Sequence, residues 1–206
     1  MGKTMKKLLS KAVFTMSILT GITSISQAAE SMELPAPDKK GGIPLMQAID
    51  TRESSRDFSA EALDEQTLSE ILWAASGINA KGTLTIPTSR NSQNLKIYAL
   101  TATGTWLYNP QKHQLELVFK DDIRAIFAKQ GYVKDAPLTL VYVGSDKNTS
   151  PLHAGSSYQN VGLYAASKKL GAVVRGFYDE DTAKKAMKLK GDDFIIISQT
   201  IGKIKP

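Results

Sequence analysis

The sequence predicts an α+β or α/β sandwich with a mixed sheet. Two observations carry that expectation: apolar residues at helical spacing alternate with short runs of strand formers, and glycine or proline turns separate them. Residues 29–43, which contain proline and glycine, form a leader, and residues 44–206 form the domain. A helix over residues 45–50 runs into a polar turn at 52–58. Leu63, Leu68, Ile71, Leu72 and Ala75 recur on one helical face that includes Trp73, and Gly77 supplies the stop. Strands follow at 95–101, 106–108 and 115–119, with turns at Gly104 and at Asn109-Pro110. Asp121-Asp122 open a helix that ends by Gly131. Pro137 precedes a buried strand at 138–143. A helix over 157–170 is closed by Gly171, and a strand passes through Val173-Val174. A helix at 181–189 and a strand at 194–198 complete the order.

The first 28 residues read as a secretory signal peptide. Lys3, Lys6, Lys7 and Lys11 form a basic start, and a mostly apolar stretch runs from Ala12 to about Ile25. Ser26-Gln27-Ala28 then offers the small residues of a cleavage site, so the mature chain is expected to begin at Ala29. The expected location is periplasmic or secreted. The apolar stretch is too short and interrupted to span a bilayer well.

Charge bounds the partners. The whole chain carries 26 basic and 20 acidic residues, a net +6. The four signal-peptide lysines leave with the signal, so 22 basic face 20 acidic residues in the mature chain, a net +2. Such a balance argues against nucleic-acid binding and against stable adhesion to anionic lipid. Cysteine is absent, which excludes disulfides, thiol catalysis and thiolate metal sites. The only histidines, His113 and His153, are expected at a hairpin tip and in a loop, exposed and idle. No metal ligands and no acid/base catalytic dyad stand out.

Three polar stretches could bind a ligand. Arg52-Glu53-Ser54-Ser55-Arg56-Asp57-Phe58 packs two guanidinium forks and two hydroxyls into one turn, a pattern suited to phosphate. Ile86-Pro87-Thr88-Ser89-Arg90-Asn91-Ser92-Gln93 is a loop of hydroxyls and amides able to face a planar heterocycle. Leu170 to Phe177 brackets a short strand with Gly171 and Gly176, which lets backbone approach a ligand closely. Each stretch alone is also an ordinary polar loop, helix cap or strand edge.

In this order and spacing they resemble the nitroreductase family of FMN-dependent oxidoreductases, and most closely its SagB-type, or thiazoline/oxazoline dehydrogenase, branch. Residues 68–79 and the group Gly155, Gln159 and Asn160 add to the likeness, which spans about residues 44–202. The resemblance implies a homodimer with FMN in two interface clefts. It implies that Arg52, Ser54 and Arg56 hold the phosphate, the ribityl chain and the ring edge. Pro87, Thr88, Ser89 and Asn91 would lie beside the isoalloxazine. The turn at Arg175 and Gly176 would point a backbone N–H at flavin N5. Lys203 would substitute for a basic pair near the family's C-terminus. Leu84 and Glu53 depart from the family pattern, which often has a basic residue at the first position. The implied activity is alternating hydride or electron transfer to or from a small aromatic, quinone or heterocyclic substrate, with NAD(P)H as a candidate donor. Two alternatives stay open: a non-enzymatic flavin-binding or electron-transfer protein of the periplasm, and a flavin-free homodimeric interaction module.

Overall fold

Over residues 30–205, the part that a computed structural model describes, the chain forms seven strands and four helices. The signal peptide and its cleavage site lie outside those residues. The strands are β1 Ser31–Glu33, β2 Leu95–Thr101, β3 Gly104–Asn109, β4 Gln114–Phe119, β5 Leu138–Gly144, β6 Leu170–Arg175 and β7 Phe194–Lys203. The helices are α1 Leu45–Thr51, α2 Glu65–Ser76, α3 Ser150–Ser167 and α4 Glu180–Ala186. The strands form one sheet in the order β1-β4-β3-β2-β5-β7-β6. The α+β class therefore holds, with one correction: every strand pair is antiparallel, so the sheet is not mixed. β5 is an interior strand, between β2 and β7, and all seven of its residues are buried. β1 falls within the segment read as leader and pairs with β4.

One face of the sheet packs against α2 and α3 through Ile71, Leu72, Ile97, Leu140, Val161 and their neighbours. The other face packs Leu100, Val141 and Val143 against Phe127, Ala183 and Met187. The helix expected between Asp121 and Gly131 is replaced by two short 3-10 turns, Arg124–Phe127 and Gly131–Val133. The local competitor is Asp122, whose Oδ1 accepts from the Arg124 N–H at 3.1 Å and from Nε at 2.9 Å. Arg124 Nη1 also donates to the carbonyls of Ala136 and Pro137 at 3.0 and 3.1 Å.

α3 starts seven residues before its expected position, because Pro151 sits in the first turn, where a missing N–H costs nothing. It ends at Ser167, and Lys169 takes the left-handed conformation that was expected of a glycine cap. Gly171 lies inside β6 instead. Gly77 does end α2, but at φ −69° its role is space: a Cβ there would stand 2.3 Å from Trp73 Cδ1.

Neither histidine is idle. His113 Nε2 lies 2.8 Å from Ser69 Oγ and 3.1 Å from the Pro35 carbonyl, and Nδ1 lies 2.8 Å from the Tyr108 hydroxyl. It ties the hairpin tip to α2 and to the segment after β1. His153 is buried within α3.

Glu70 joins α2 to α3. Its Oε1 accepts from Gln66 Nε2 at 2.8 Å and from the Asp38 N–H at 3.3 Å. Its Oε2 accepts from the Tyr164 hydroxyl at 2.8 Å and from Lys168 Nζ at 3.0 Å. Desolvation raises the carboxyl pKa, but the donors prevail and lower it from 4.5 to about 2. A pKa depressed in the folded state stabilises above the unfolded value, and that stability is lost as pH falls through the folded value. Glu70→Gln is therefore expected to cost about 2 kcal/mol at neutral pH. Its stability should also fall less steeply than wild type between pH 4.5 and about 2. Urea denaturation across that range checks both, and parallel curves would refute the second.

Candidate functional site

The Arg/Ser turn is stitched to the edge of the sheet. The Arg52 N–H closes α1 on the Ala48 carbonyl at 3.0 Å. The Ser55 N–H then donates to the Ala172 carbonyl of β6 at 3.1 Å, and the Ser59 N–H to the Lys203 carbonyl of β7 at 2.8 Å. Between them Phe58 is fully buried and bridges Ile204. Gly171 and Gly202 make room for its ring: a Cβ would stand 3.0 Å from Phe58 Cε1 at the first and 3.4 Å from Cδ1 at the second.

The Arg52 stem crosses Gly162 of α3, where a Cβ would lie 3.6 Å from Arg52 Cδ. Arg52 and Ser54 line a cleft of about 130 Å³ with Tyr158, Gln159, Val174 and Gln199. A hollow of about 190 Å³ adjoins it, sharing Glu53, Gly162 and Ala172 and adding Ser55 and Lys169. Among the described residues no carboxylate pairs with Arg52 or Arg56. Arg56 folds back, with Nη1 donating to the Ser54 carbonyl at 3.3 Å.

Gln199 was not foreseen. Its Oε1 accepts from the Tyr142 hydroxyl at 2.5 Å, and its Nε2 donates to the Tyr158 carbonyl at 3.1 Å, which locks the amide at the cleft wall. Burial pushes the Tyr142 hydroxyl far above its ordinary pKa, so it is a neutral donor. Tyr158 was also missed. Gln159 entered only as part of the family likeness.

The remaining candidates are spread out. Arg175 ends β6 with its side chain buried: Nη1 donates to the Phe127 carbonyl at 2.5 Å and Nη2 to Thr200 Oγ1 at 2.9 Å, while Nε has no partner. That guanidinium pins the 3-10 turn to the sheet, and Gly176 after it is exposed. Lys203 pairs with Glu61 and is not brought to the Arg52 cleft. Pro87, Thr88 and Ser89 border a separate hollow of about 290 Å³ with Leu152, His153 and Ser156. Arg90 and Asn91 beside them are left-handed, at φ 53° and 55°. His153 and Gly162 stand for the two hollows on α3, roughly 13 Å apart along its axis at 1.5 Å per residue. Within one chain the 87–91 loop and the Arg52 cleft are therefore distinct.

The profile of the nitroreductase family matches residues 49–203. A nitroreductase-like protein of Ralstonia eutropha, known from a crystal structure, is 35% identical. The match covers 85% of this chain and 90% of that one, at a TM-score of 0.81. A nitroreductase-like protein of Methanocaldococcus jannaschii is 25% identical over 78% of this chain and 92% of its own. The Escherichia coli microcin synthetase complex contains a chain of the same fold, at 16% identity and a TM-score of 0.65, covering 94% of this chain and 85% of that one. The extent of the profile match and the Ralstonia relative agree with the geometry, and the chain belongs to the nitroreductase family.

Proposed function

We propose that this oxidoreductase is FMN-dependent and works as a homodimer on a small aromatic, quinone or heterocyclic substrate. The observation that carries this reading is the cleft at Arg52. Arg52, whose guanidinium is unpaired among the described residues and whose stem lies over Gly162, lines it with Ser54, beside a fixed amide from Gln199. A phosphate, a polyol and a ring edge each find a matching group there. Bound FMN would supply reversible hydride or electron transfer. Arg52 and Arg56 would hold the phosphate, Ser54 the ribityl chain, and the backbone at Arg175 and Gly176 the ring. No side chain need move a proton in that scheme.

The two hollows at this site measure about 190 and 130 Å³, below the roughly 300–1,000 Å³ of ligand pockets. A second copy completes the site in this reading. α1 exposes Leu45, Met46 and Ile49, and α3 exposes Leu152, an apolar set suited to an interface. A dimer would let the 87–91 loop of one copy reach the Arg52 cleft of the other. The five matching stretches favour the SagB-type branch, and NAD(P)H is the first donor to try.

The basic start and Ser26-Gln27-Ala28 support export, so the test uses mature protein recovered from the periplasm, or from the medium in a host without one. The expected result is a yellow dimer by sedimentation whose visible band bleaches with NADH or NADPH. A yellow protein that does not bleach would favour an electron carrier. A protein colourless even with added FMN would favour a flavin-free interaction module.

A further inference from the structure

We infer that His153 is the positioning residue for the 87–91 loop and holds it only while its ring is neutral. The inference rests on the proposal that this loop lies against the flavin and substrate. Among the described residues, the segment from Ile86 to Gln93 makes one hydrogen bond to the rest of the chain: the Ser89 N–H donates to His153 Nε2 at 2.9 Å. Its other bonds are internal, from the Asn91 N–H to the Thr88 carbonyl and from the Ser92 N–H to the Ser89 carbonyl.

A backbone N–H can only donate, so Nε2 accepts and the ring hydrogen sits on Nδ1. Nδ1–H donates to Asn94 Oδ1 at 2.8 Å. Asn94 is itself locked: Nδ2 donates to Thr149 Oγ1 at 2.6 Å, and its carbonyl accepts from Ser150 Oγ at 2.9 Å and from the Ser145 N–H at 3.2 Å. His153 is buried on α3, the helix that also walls the Arg52 cleft. A rigid frame thus ends in one lone pair, and that lone pair sets where Thr88 and Ser89 stand. The left-handed Arg90 and Asn91 give the loop a strained conformation that needs such a hold.

A proton on Nε2 would set two donors face to face and release Ser89. The nearby charges are Asp146, before α3, and Arg90, which is exposed on the loop itself. Asp146 Oδ1 already accepts from the Asn148 and Thr149 N–H groups at 2.7 and 3.2 Å and makes no hydrogen bond to the ring.

The test is amide hydrogen exchange at Ser89 in the mature chain, read as a protection factor, with FMN affinity measured on the same samples. In wild type, protection is expected to fall at least about tenfold between samples in which the ring's own NMR signals show His153 neutral and samples in which they show it charged. His153→Leu should lose the protection at every pH. His153→Gln, whose amide oxygen can accept, should keep part of it with no pH dependence. If FMN binds, its affinity should follow Ser89 protection. Protection of Ser89 that is unchanged by pH in wild type, or that survives in a folded His153→Leu protein, overturns the inference. Absence of FMN binding throughout would instead count against the cofactor reading, since Ser89 protection is read without it.

Discussion

Replacing Phe58 with alanine is expected to cost about 3–5 kcal/mol of stability, the range for a buried aromatic cut back to a methyl group. The ring is fully buried among Val133, Ala136 and Val173, with partly buried Ala128 and Tyr132 around it. The site has little freedom to collapse. Gly171 and Gly202 already bring strand backbone against the ring, and a Cβ at Gly202 would meet Pro137 Cδ at 2.7 Å. The backbone on either side is held by the bond from Ser59 to Lys203 and by that from the Lys205 N–H to the Asp57 carbonyl, at 3.2 Å. A cavity therefore remains, and the midpoint of thermal unfolding should drop by roughly 6–20 °C for a chain of this length. Phe58 also fastens the turn that carries Arg52 and Ser54, so FMN affinity should fall with stability. Calorimetry of the variant decides the matter, and a loss below about 1 kcal/mol would show that the ring is not what anchors the turn.

What could be read along the chain was local. α2 was legible because its apolar period runs up to Gly77, while Asp64, whose side chain accepts from the Thr67 N–H at its start, was not read. β5 was legible because a strand buried on both faces is a continuous apolar run. Residues 121–131 misled because Asp121-Asp122 read as a helix start and Gly131 as its stop, while Asp122 and Arg124 satisfy the backbone another way. The histidines misled for a different reason: their partners are remote. Pro35 lies 78 residues from His113, and Asn94 lies 59 from His153. The site divides along the same line. The Arg52 to Phe58 turn was visible as a stretch of residue types. The walls that turn it into a cleft were not, because Tyr158 and Gln199 come from α3 and β7 and have ordinary neighbours in sequence. Lys203 shows the converse: a cation in the expected place can be committed elsewhere, here to Glu61.

That distinction sets the ranking expected when the candidate cations are removed one at a time. Arg56 is partly satisfied by the Ser54 carbonyl, Lys203 by Glu61, and Arg175 is buried on the strand's other contacts. Among the described residues the Arg52 guanidinium has no such partner, and its stem is laid over Gly162 toward the cleft. Arg52→Ala should therefore weaken FMN binding most, by about 2–3 kcal/mol for a charge-assisted, two-pronged contact. That is roughly a 30- to 140-fold rise in Kd. Lys203→Ala should change it by less than about 1 kcal/mol, as befits an exposed ion pair. Arg52→Lys should restore only part of the loss, because an ammonium keeps the charge but not the fork. Stability should barely move in Arg52→Ala, since no hydrogen bond of its side chain holds the fold together, and this separates a binding defect from unfolding. Titration with FMN, followed by quenching of flavin fluorescence, measures all three variants. Equal affinity for wild type and Arg52→Ala would remove the phosphate from this cleft, and a larger loss in Lys203→Ala would place it at the end of β7 instead.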